Sequence, residues 1–399
     1  MVKIPPFEVE QWMDRLETTP GVLNIAETCA ASVSIDDLMA MSTDKAAPSP
    51  LSLSTKMTYG EIKGSTKLRQ NVAAMFNSSA LPDTTPLGPD NILITQGAIA
   101  ANFLLLYTLI GAGDHVICVY PTYQQLYSVP ESLGAEVSLW KLKPENDYIP
   151  DPTELQSLLK PNTKMIIINN PNNPTGSTTP SSVLSAIVSF AKAHSLLILS
   201  DEVYHPLYHS HPSPPPSILA FNYPLAIATG SMSKAFALAG LRLGWIASHN
   251  PALLAAAASA RDYTTISVSQ LDDAVAAYAL SPAVLPGLLA RNMALARTNL
   301  ALLDAFVERY KGVVEWVRPT GGTTAFIKFK KGKGGVAVDD AGFVMEVLGE
   351  VNVLFMPGKA CFGRGEDFGG FVRIGYVSET EVLREGLERL GGFVERKLL

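Results

Sequence analysis

Between residues 91 and 247 the chain repeats one pattern that few folds satisfy: a short apolar run, a stretch with helical spacing, then another apolar run. Seven apolar runs are legible, at Asn91–Thr95, His115–Val119, Glu136–Trp140, Met165–Ile168, Leu196–Leu199, Ala226–Thr229 and Leu243–Ala247. Helical stretches separate them at Ala98–Ile110 and near Ser182–His194. Runs such as MIII and LLIL are apolar on both faces, which a strand tolerates only when both faces are covered. The pattern therefore predicts an α/β fold with a mainly parallel seven-stranded sheet flanked by helices.

After about residue 280 the texture changes. Leu285–Tyr310 reads as a long amphipathic helix, Ala325–Phe329 as a strand and Asp339–Glu350 as a helix, with short strands near Val353–Phe355 and Val372–Tyr376. The expectation is a large domain over residues 46–284 and a smaller α+β domain over 285–399. Residues 1–45 are too few to fold alone and are expected to pack on the smaller domain. The basic, glycine-rich run KFKKGKGG (Lys328 to Gly335) reads as an exposed turn.

Composition excludes several classes. Hydrophobic residues make up 47% of the 399 and charged ones 17%, which fits a large buried core rather than a disordered chain. A net charge of −6 leaves no basic surplus for nucleic acid. The longest apolar run, thirteen residues from Ala98 to Ile110 broken by Asn102, is too short to span a membrane. Three widely spaced cysteines, Cys29, Cys118 and Cys361, give neither a disulfide framework nor a metal pair and fit a reducing compartment. MVKIPPFEVEQW lacks the apolar core of a signal peptide, and the final Lys-Leu-Leu is not the peroxisomal Ser-Lys-Leu, so a cytoplasmic location is expected. His205, His209 and His211 have no further ligand at metal spacing and read as a polar surface loop running into Pro212–Pro216; no metal is expected.

Four segments follow strand ends, where open α/β sheets bind ligands. Lys234, in Ser231-Met232-Ser233-Lys234, stands among small and apolar residues. It reads either as a surface lysine or as an amine whose pKa is lowered by burial and a nearby cation, with Arg242 available as that cation and as a phosphate fork. Asp201, after LLIL, is either a helix cap or a carboxylate for a pyridine nitrogen. Asn169–Gly176 (NNPNNPTG) is a rigid polar loop. Thr95-Gln96-Gly97 turns a strand into a helix whose free N–H groups make an anion site.

Taken in order, YGEIKGSTKLR, TQGAIAA, YPTY, NNPNNPTG, SDEVY, SMSKAFALAGLRLGW and FVRIGY resemble the class I and II aminotransferases, the aspartate-aminotransferase-like, fold-type I enzymes of pyridoxal phosphate, from about Tyr59 to Tyr376. The resemblance implies that Lys234 forms the internal aldimine and shuttles the proton, and that Asp201 pairs with the pyridinium. It implies further that Asn173 and Tyr204 contact the phenolic oxygen and that Tyr123 stacks on the ring. Ser231, Arg242 and the Gly97, Ala98, Ile99 turn would bind phosphate. Tyr59 would reach the phosphate of a neighbouring subunit in a homodimer, and Arg373 would grip the substrate carboxylate.

One stretch departs from the family. Where relatives often carry a glycine-containing segment lining the substrate pocket, this chain reads Leu23-Asn24-Ile25-Ala26-Glu27-Thr28-Cys29. Glu27 and Thr28, and the hydroxyls of Thr323 and Thr324, either line the pocket or sit in outer loops. If Glu27 lines it, it recognises an amine or guanidine, or serves as acid or base. The expected activity is amino transfer from an α-amino acid. The alternatives are a lyase or cyclase using the same carbanion chemistry and, more remotely, a non-catalytic regulator that binds the cofactor. Nothing here resembles the DNA-binding domain of such regulators, and no GxGxxG follows the first strand to support a nicotinamide enzyme.

Overall fold

The computed structural model describes residues 4–332 and 334–399. Met1–Lys3 of the leader reading and Lys333 of the basic turn lie outside the described residues. The seven apolar runs form one sheet of seven strands: β1 (Ile92–Thr95), β2 (His115–Tyr120), β3 (Glu136–Lys141), β4 (Thr163–Asn169), β5 (Leu197–Asp201), β6 (Ala226–Ser231) and β7 (Gly244–Ala247). Their spatial order is β1-β7-β6-β5-β4-β2-β3, and β7 alone runs antiparallel to its neighbours.

The apolar runs are uninterrupted because both faces of the sheet are covered. Along β4, Ile166 and Ile168 point into one core, with Leu184 and Ile187 of helix Ser181–His194. Met165 and Ile167 point into the other, with Ala101 and Leu105 of the helix Gly97–Leu109.

A second sheet of four antiparallel strands, β8 (Val314–Trp316), β9 (Thr324–Phe329), β10 (Met356–Pro357) and β11 (Phe371–Gly375), has the order β10-β11-β9-β8. It packs with helices Asp340–Val351 and Thr380–Lys397 around a third core. Helix α1 (Glu8–Leu16) buries Val9, Trp12 and Leu16 in that core, whereas Leu38 packs with the large sheet. The 25-residue helix Leu285–Arg309 joins both, burying Leu288 in the large core and Leu300 and Leu303 in the smaller one. The strand expected near Val353–Phe355 is present as Val353–Leu354; strands β8 and β10, and Leu23–Asn24 that pairs with it, were not foreseen, since runs this short carry no readable alternation.

The histidine segment differs from its expectation. His205 and His209 are each 3% exposed, not on a surface loop. His209 bonds Tyr376 Oη through Nε2 at 2.6 Å, and His205 Nδ1 bonds Tyr208 Oη at 3.1 Å. Burial lowers both rings to about 4, so both are neutral. The partner of His209 is far away in sequence, whereas His205 bonds a tyrosine three residues on and keeps a buried Nε2 without a partner.

Candidate active site

All the parallel strands end on one edge of the sheet, and antiparallel β7 begins there. Residues that follow β1, β2, β4, β5 and β6, and that precede β7, therefore converge, although they span 98 to 242 in the chain. They line a cavity of about 660 Å³, closed from the other side by α1, by Ala26–Cys29 and by Arg373 of β11.

One end of the cavity is an anion cradle. Helix α2 (Gly97–Leu109) starts there, and Gln96 provides no side-chain cap, so its first N–H groups lack a side-chain acceptor. Gly244 lets β7 come close: a Cβ on it would lie 2.6 Å from the Ala98 nitrogen. Arg242 stands beside the same turn, its Nη2 3.3 Å from where a Cβ on Gly97 would be, and Gly97 takes φ +80°. Ser231 is buried and accepts a hydrogen bond from the Ser233 amide at 2.8 Å.

The middle holds a buried carboxylate. Asp201 accepts from Asn102 Nδ2 at 2.9 Å and from the Val203 amide at 3.1 Å, and Thr229 Oγ1 donates to Asn102 Oδ1 at 2.7 Å. No lysine or arginine pairs with Asp201 among the described residues. Burial therefore raises its carboxyl to about 6, and burial raises the adjacent Glu202 to about 7. For a carboxyl raised from its ordinary 3.8, the fold favours the protonated form. Its contribution to stability is full below about pH 4 and lost as pH rises through 6. Cofactor-free protein is expected to lose up to ~3 kcal/mol of stability through Asp201 between pH 4 and 7. Denaturant unfolding at both pH values should give Asp201→Asn a flatter profile than wild type.

Arg373 lies at the other end, 3% exposed and stacked 5.2 Å from the Phe362 ring centre. It donates to Ala26 O at 3.0 Å and Asn173 Oδ1 at 3.3 Å, while its buried Nε has no partner. Asn173 is fixed through its amide, which donates to Asn169 Oδ1 at 2.7 Å. Tyr204 is fully buried on the cavity wall; burial raises its phenol, opposed by the charges of Lys234 and Arg373. Tyr123 lines the wall opposite and donates to Glu10 Oε1 at 3.0 Å.

Lys234 Nζ stands between these ends, 2.5 Å from Thr28 Oγ1, 3.4 Å from Cys29 Sγ and 3.7 Å from Glu27 Oε1. The sequence had led us to expect a lowered lysine pKa, set by burial and Arg242. Burial does act that way, but it is outweighed by the pull of the groups facing the amine, the Cys29 sulfur first and then the Glu27 carboxylate and Tyr204, and the pKa is raised. Glu27 is held near 2: burial opposes its charge, but Lys234 and the amides of Thr28 and Cys29, at 2.6 and 2.8 Å, stabilise it. Burial pushes the Cys29 thiol up to about 11, so it is uncharged at neutral pH.

Of the residues left open at the start, Glu27 and Thr28 line the cavity, whereas Thr323 and Thr324 do not. Both threonines are fully buried, and Thr323 Oγ1 donates to Thr28 O at 2.6 Å, bracing the segment from behind. A Cβ on Gly375 would lie 1.7 Å from Glu27 O, so the strand carrying Arg373 needs glycine there. Tyr59 lies outside the cavity, 76% exposed. Sequence reasoning missed Thr229, Cys29 and the acidic face of α1. It also missed Asn102, whose signal was an amide interrupting an apolar helix.

These groups fit pyridoxal phosphate. A carboxylate buried without a cation matches a protonated ring nitrogen, since an unpaired buried charge is costly. The uncapped helix start with Arg242 and Ser231 matches the phosphate, and the Lys234 amine lines the same cavity to meet an aldehyde. The comparisons agree. A profile described as "Aminotransferase class I and II" matches residues 38–390. A crystal structure of a PLP-dependent aminotransferase from Streptococcus suis is 38% identical, superposes with a TM-score of 0.87 and covers 99% of each chain. Capreomycidine synthase of Streptomyces vinaceus is 28% identical over 329 residues, 82% of this chain and 78% of its own. An aspartate aminotransferase of Thermotoga maritima is 28% identical over 343 residues, 86% and 85% of the two chains. With that match over most of its length, the chain belongs to the class I and II aminotransferases, enzymes that depend on pyridoxal phosphate.

Proposed function

We propose that the cavity performs amino transfer from an α-amino acid, with Lys234 as the proton-moving group and Arg373 as the carboxylate clamp. The observation that carries the reading is the convergence of Lys234, Asp201 and Arg373 on one cavity from two different sheets. Bound there, pyridoxal phosphate supplies an electrophilic aldehyde and an electron-withdrawing ring that make the substrate's α-proton acidic. Asp201, oriented by Asn102, keeps the ring nitrogen protonated. Asn173 and Tyr204 hold the phenolic oxygen, Tyr123 covers the ring face, and Ser231, Arg242 and the Gly97–Ile99 turn hold the phosphate. Arg373 fixes the substrate carboxylate in a planar fork. Lys234 would take the α-proton and deliver it to the cofactor's aldehyde-derived carbon on the far side of the amino nitrogen, acting as general base and then acid. Before it can do so, its ammonium must lose a proton against the pull of Glu27.

A lyase or cyclase is the second reading. It is favoured by the similarity to capreomycidine synthase and by the polar wall Glu27-Thr28-Cys29 beside Lys234. Incubation with single amino acids, followed by the cofactor's visible spectrum and product mass, separates the two. A 2-oxo acid product supports amino transfer; a cyclised or eliminated product supports the alternative.

The proposal includes a homodimer. Ile99, Phe103 and Tyr107 form an exposed apolar stripe along α2, 38%, 45% and 62% exposed, near the mouth of the site. Tyr59, too, is solvent-exposed and free to serve a neighbour's phosphate site. Mixing Tyr59→Phe with Lys234→Ala chains should form hybrid dimers with one intact site. Activity should then exceed that of either variant alone, and an active monomer would contradict the arrangement. We also divide the chain functionally at residues 46 and 285, and place it in the cytoplasm, supported by unpaired cysteines of which Cys118 and Cys361 are buried.

A further inference from the structure

The charges lining the cavity do not balance once the proposed roles are filled. Lys234, Arg242 and Arg373 are its cations; Asp201, Glu10, Asp14, Glu17 and Glu27 are its anions. Asp201 answers a ring nitrogen, Arg242 a phosphate and Arg373 a carboxylate. Four carboxylates remain. Among the described residues no lysine or arginine pairs with Glu10, Asp14 or Glu17, and Glu27 pairs only with Lys234, at 3.7 Å.

These acids are built into a wall. Glu10, Asp14 and Glu17 recur at intervals of four and three, so they share one face of α1 and its end. The opposite face is anchored by buried Val9, Trp12 and Leu16. The start of the helix is tied to the large sheet's side by Gln124, whose Nε2 donates to Pro6 O at 2.8 Å and whose Oε1 accepts from the Glu8 amide at 2.9 Å. Tyr123 fixes Glu10. Arg15, the one basic residue of α1, stacks on Trp12 at 5.0 Å and does not line the cavity.

Arg373, buried on the cavity lining and bonded only to Asn173 Oδ1 and Ala26 O with no carboxylate partner among the described residues, independently marks where an anionic group of the ligand belongs. An amino acid held there by its carboxylate turns its side chain toward the remaining walls, where the only other arginine among the described residues of one chain is Arg242, already answering the phosphate. We propose that the substrate is an α-amino acid with a cationic side chain, an alkyl ammonium or guanidinium, selected by Glu27 and the acidic face of α1. This rests on the reading of the cavity as an amino-acid site. Carboxylates near a cation at a solvent-reached site attract it, and salt weakens the attraction.

The test is a titration of holoenzyme, followed by the cofactor's visible band, with arginine against citrulline and lysine against norleucine. Each pair has similar shape and differs in charge. The cationic member should bind roughly 10-fold or more tightly, the ratio should shrink in high salt, and glutamate should bind weakest. The double variant Asp14→Asn, Glu17→Gln should bring the ratio toward one while citrulline and norleucine bind as before. Glu27→Gln should do the same, although it also frees Lys234. Equal binding within each pair, tighter binding of glutamate, or a ratio unchanged in the variants would overturn the proposal. Product mass is read separately: absence of a 2-oxo acid from any amino acid would remove the amino-transfer reading and leave the binding ratios to decide this one.

Discussion

Replacing Lys234 with alanine is expected to abolish turnover while leaving a folded protein. The side chain reaches the cavity from the loop after β6, and its amine lies among the groups that would meet substrate. Positioned proton transfer supplies about 10²–10⁴-fold in rate, and the lost amine is also the nucleophile toward the cofactor's aldehyde, so kcat should fall by at least that much. Borohydride treatment of the wild-type holoenzyme should fix the cofactor to one peptide, the one carrying Lys234. Lys234→Ala should show no fixed cofactor. Labelling at another lysine would sink the assignment of the whole site.

Arg373→Ala should leave cofactor bound and remove substrate capture. Arg373 does not touch the anion cradle or Asp201; its partners are Ala26 O and Asn173 Oδ1. Truncating one partner of a buried, charge-assisted pair costs about 2–5 kcal/mol. Steady-state kinetics should show kcat/KM for carboxylate substrates falling roughly 30-fold to several thousand-fold. Arg373→Lys should recover only part, because an ammonium cannot reproduce the planar fork. Near-normal kcat/KM in Arg373→Ala would place the clamp elsewhere. It would also favour a substrate not recognised by its carboxylate, hence a reaction other than amino transfer.

The large sheet was legible because its evidence is local. Each apolar run is longer than the two or three residues at which alternation disappears, and burial on both faces writes itself into every position of MIII and LLIL. Once parallel strands are granted, one rule carries the site a long way. Residues just past the strand ends share an edge, so Ala98, Asn173, Asp201 and Lys234 meet although 136 positions separate the first from the last. Asn102 was visible only as a break in an apolar helix, and its partner Thr229 only after the register set Thr229 beside Asp201.

What closes the cavity was decided in three dimensions. Glu27–Cys29 reach Lys234 because Leu23–Asn24 pairs with Val353–Leu354 and because Gly375 lets the Glu27 carbonyl approach. Neither contact has a periodicity to announce it. Thr323 and Thr324 looked equivalent to Thr28 as pocket hydroxyls, and packing turned them inward. His205 and His209 read as surface until packing buried them, His209 against the distant Tyr376 and His205 against Tyr208, three residues on. The charge on Lys234 is the sharpest case. Its neighbours in sequence are small and apolar and argue for a lowered pKa, while Cys29 and the Glu27 carboxylate, 205 and 207 positions away in the chain but 3.4 and 3.7 Å away in space, reverse it. Strand and helix follow from residues next to one another in the chain, so sequence determined the scaffold and the edge on which the chemistry sits. Coulomb energy and desolvation depend on distance through space, so the protonation state of the site and the identity of its walls belonged to the tertiary structure.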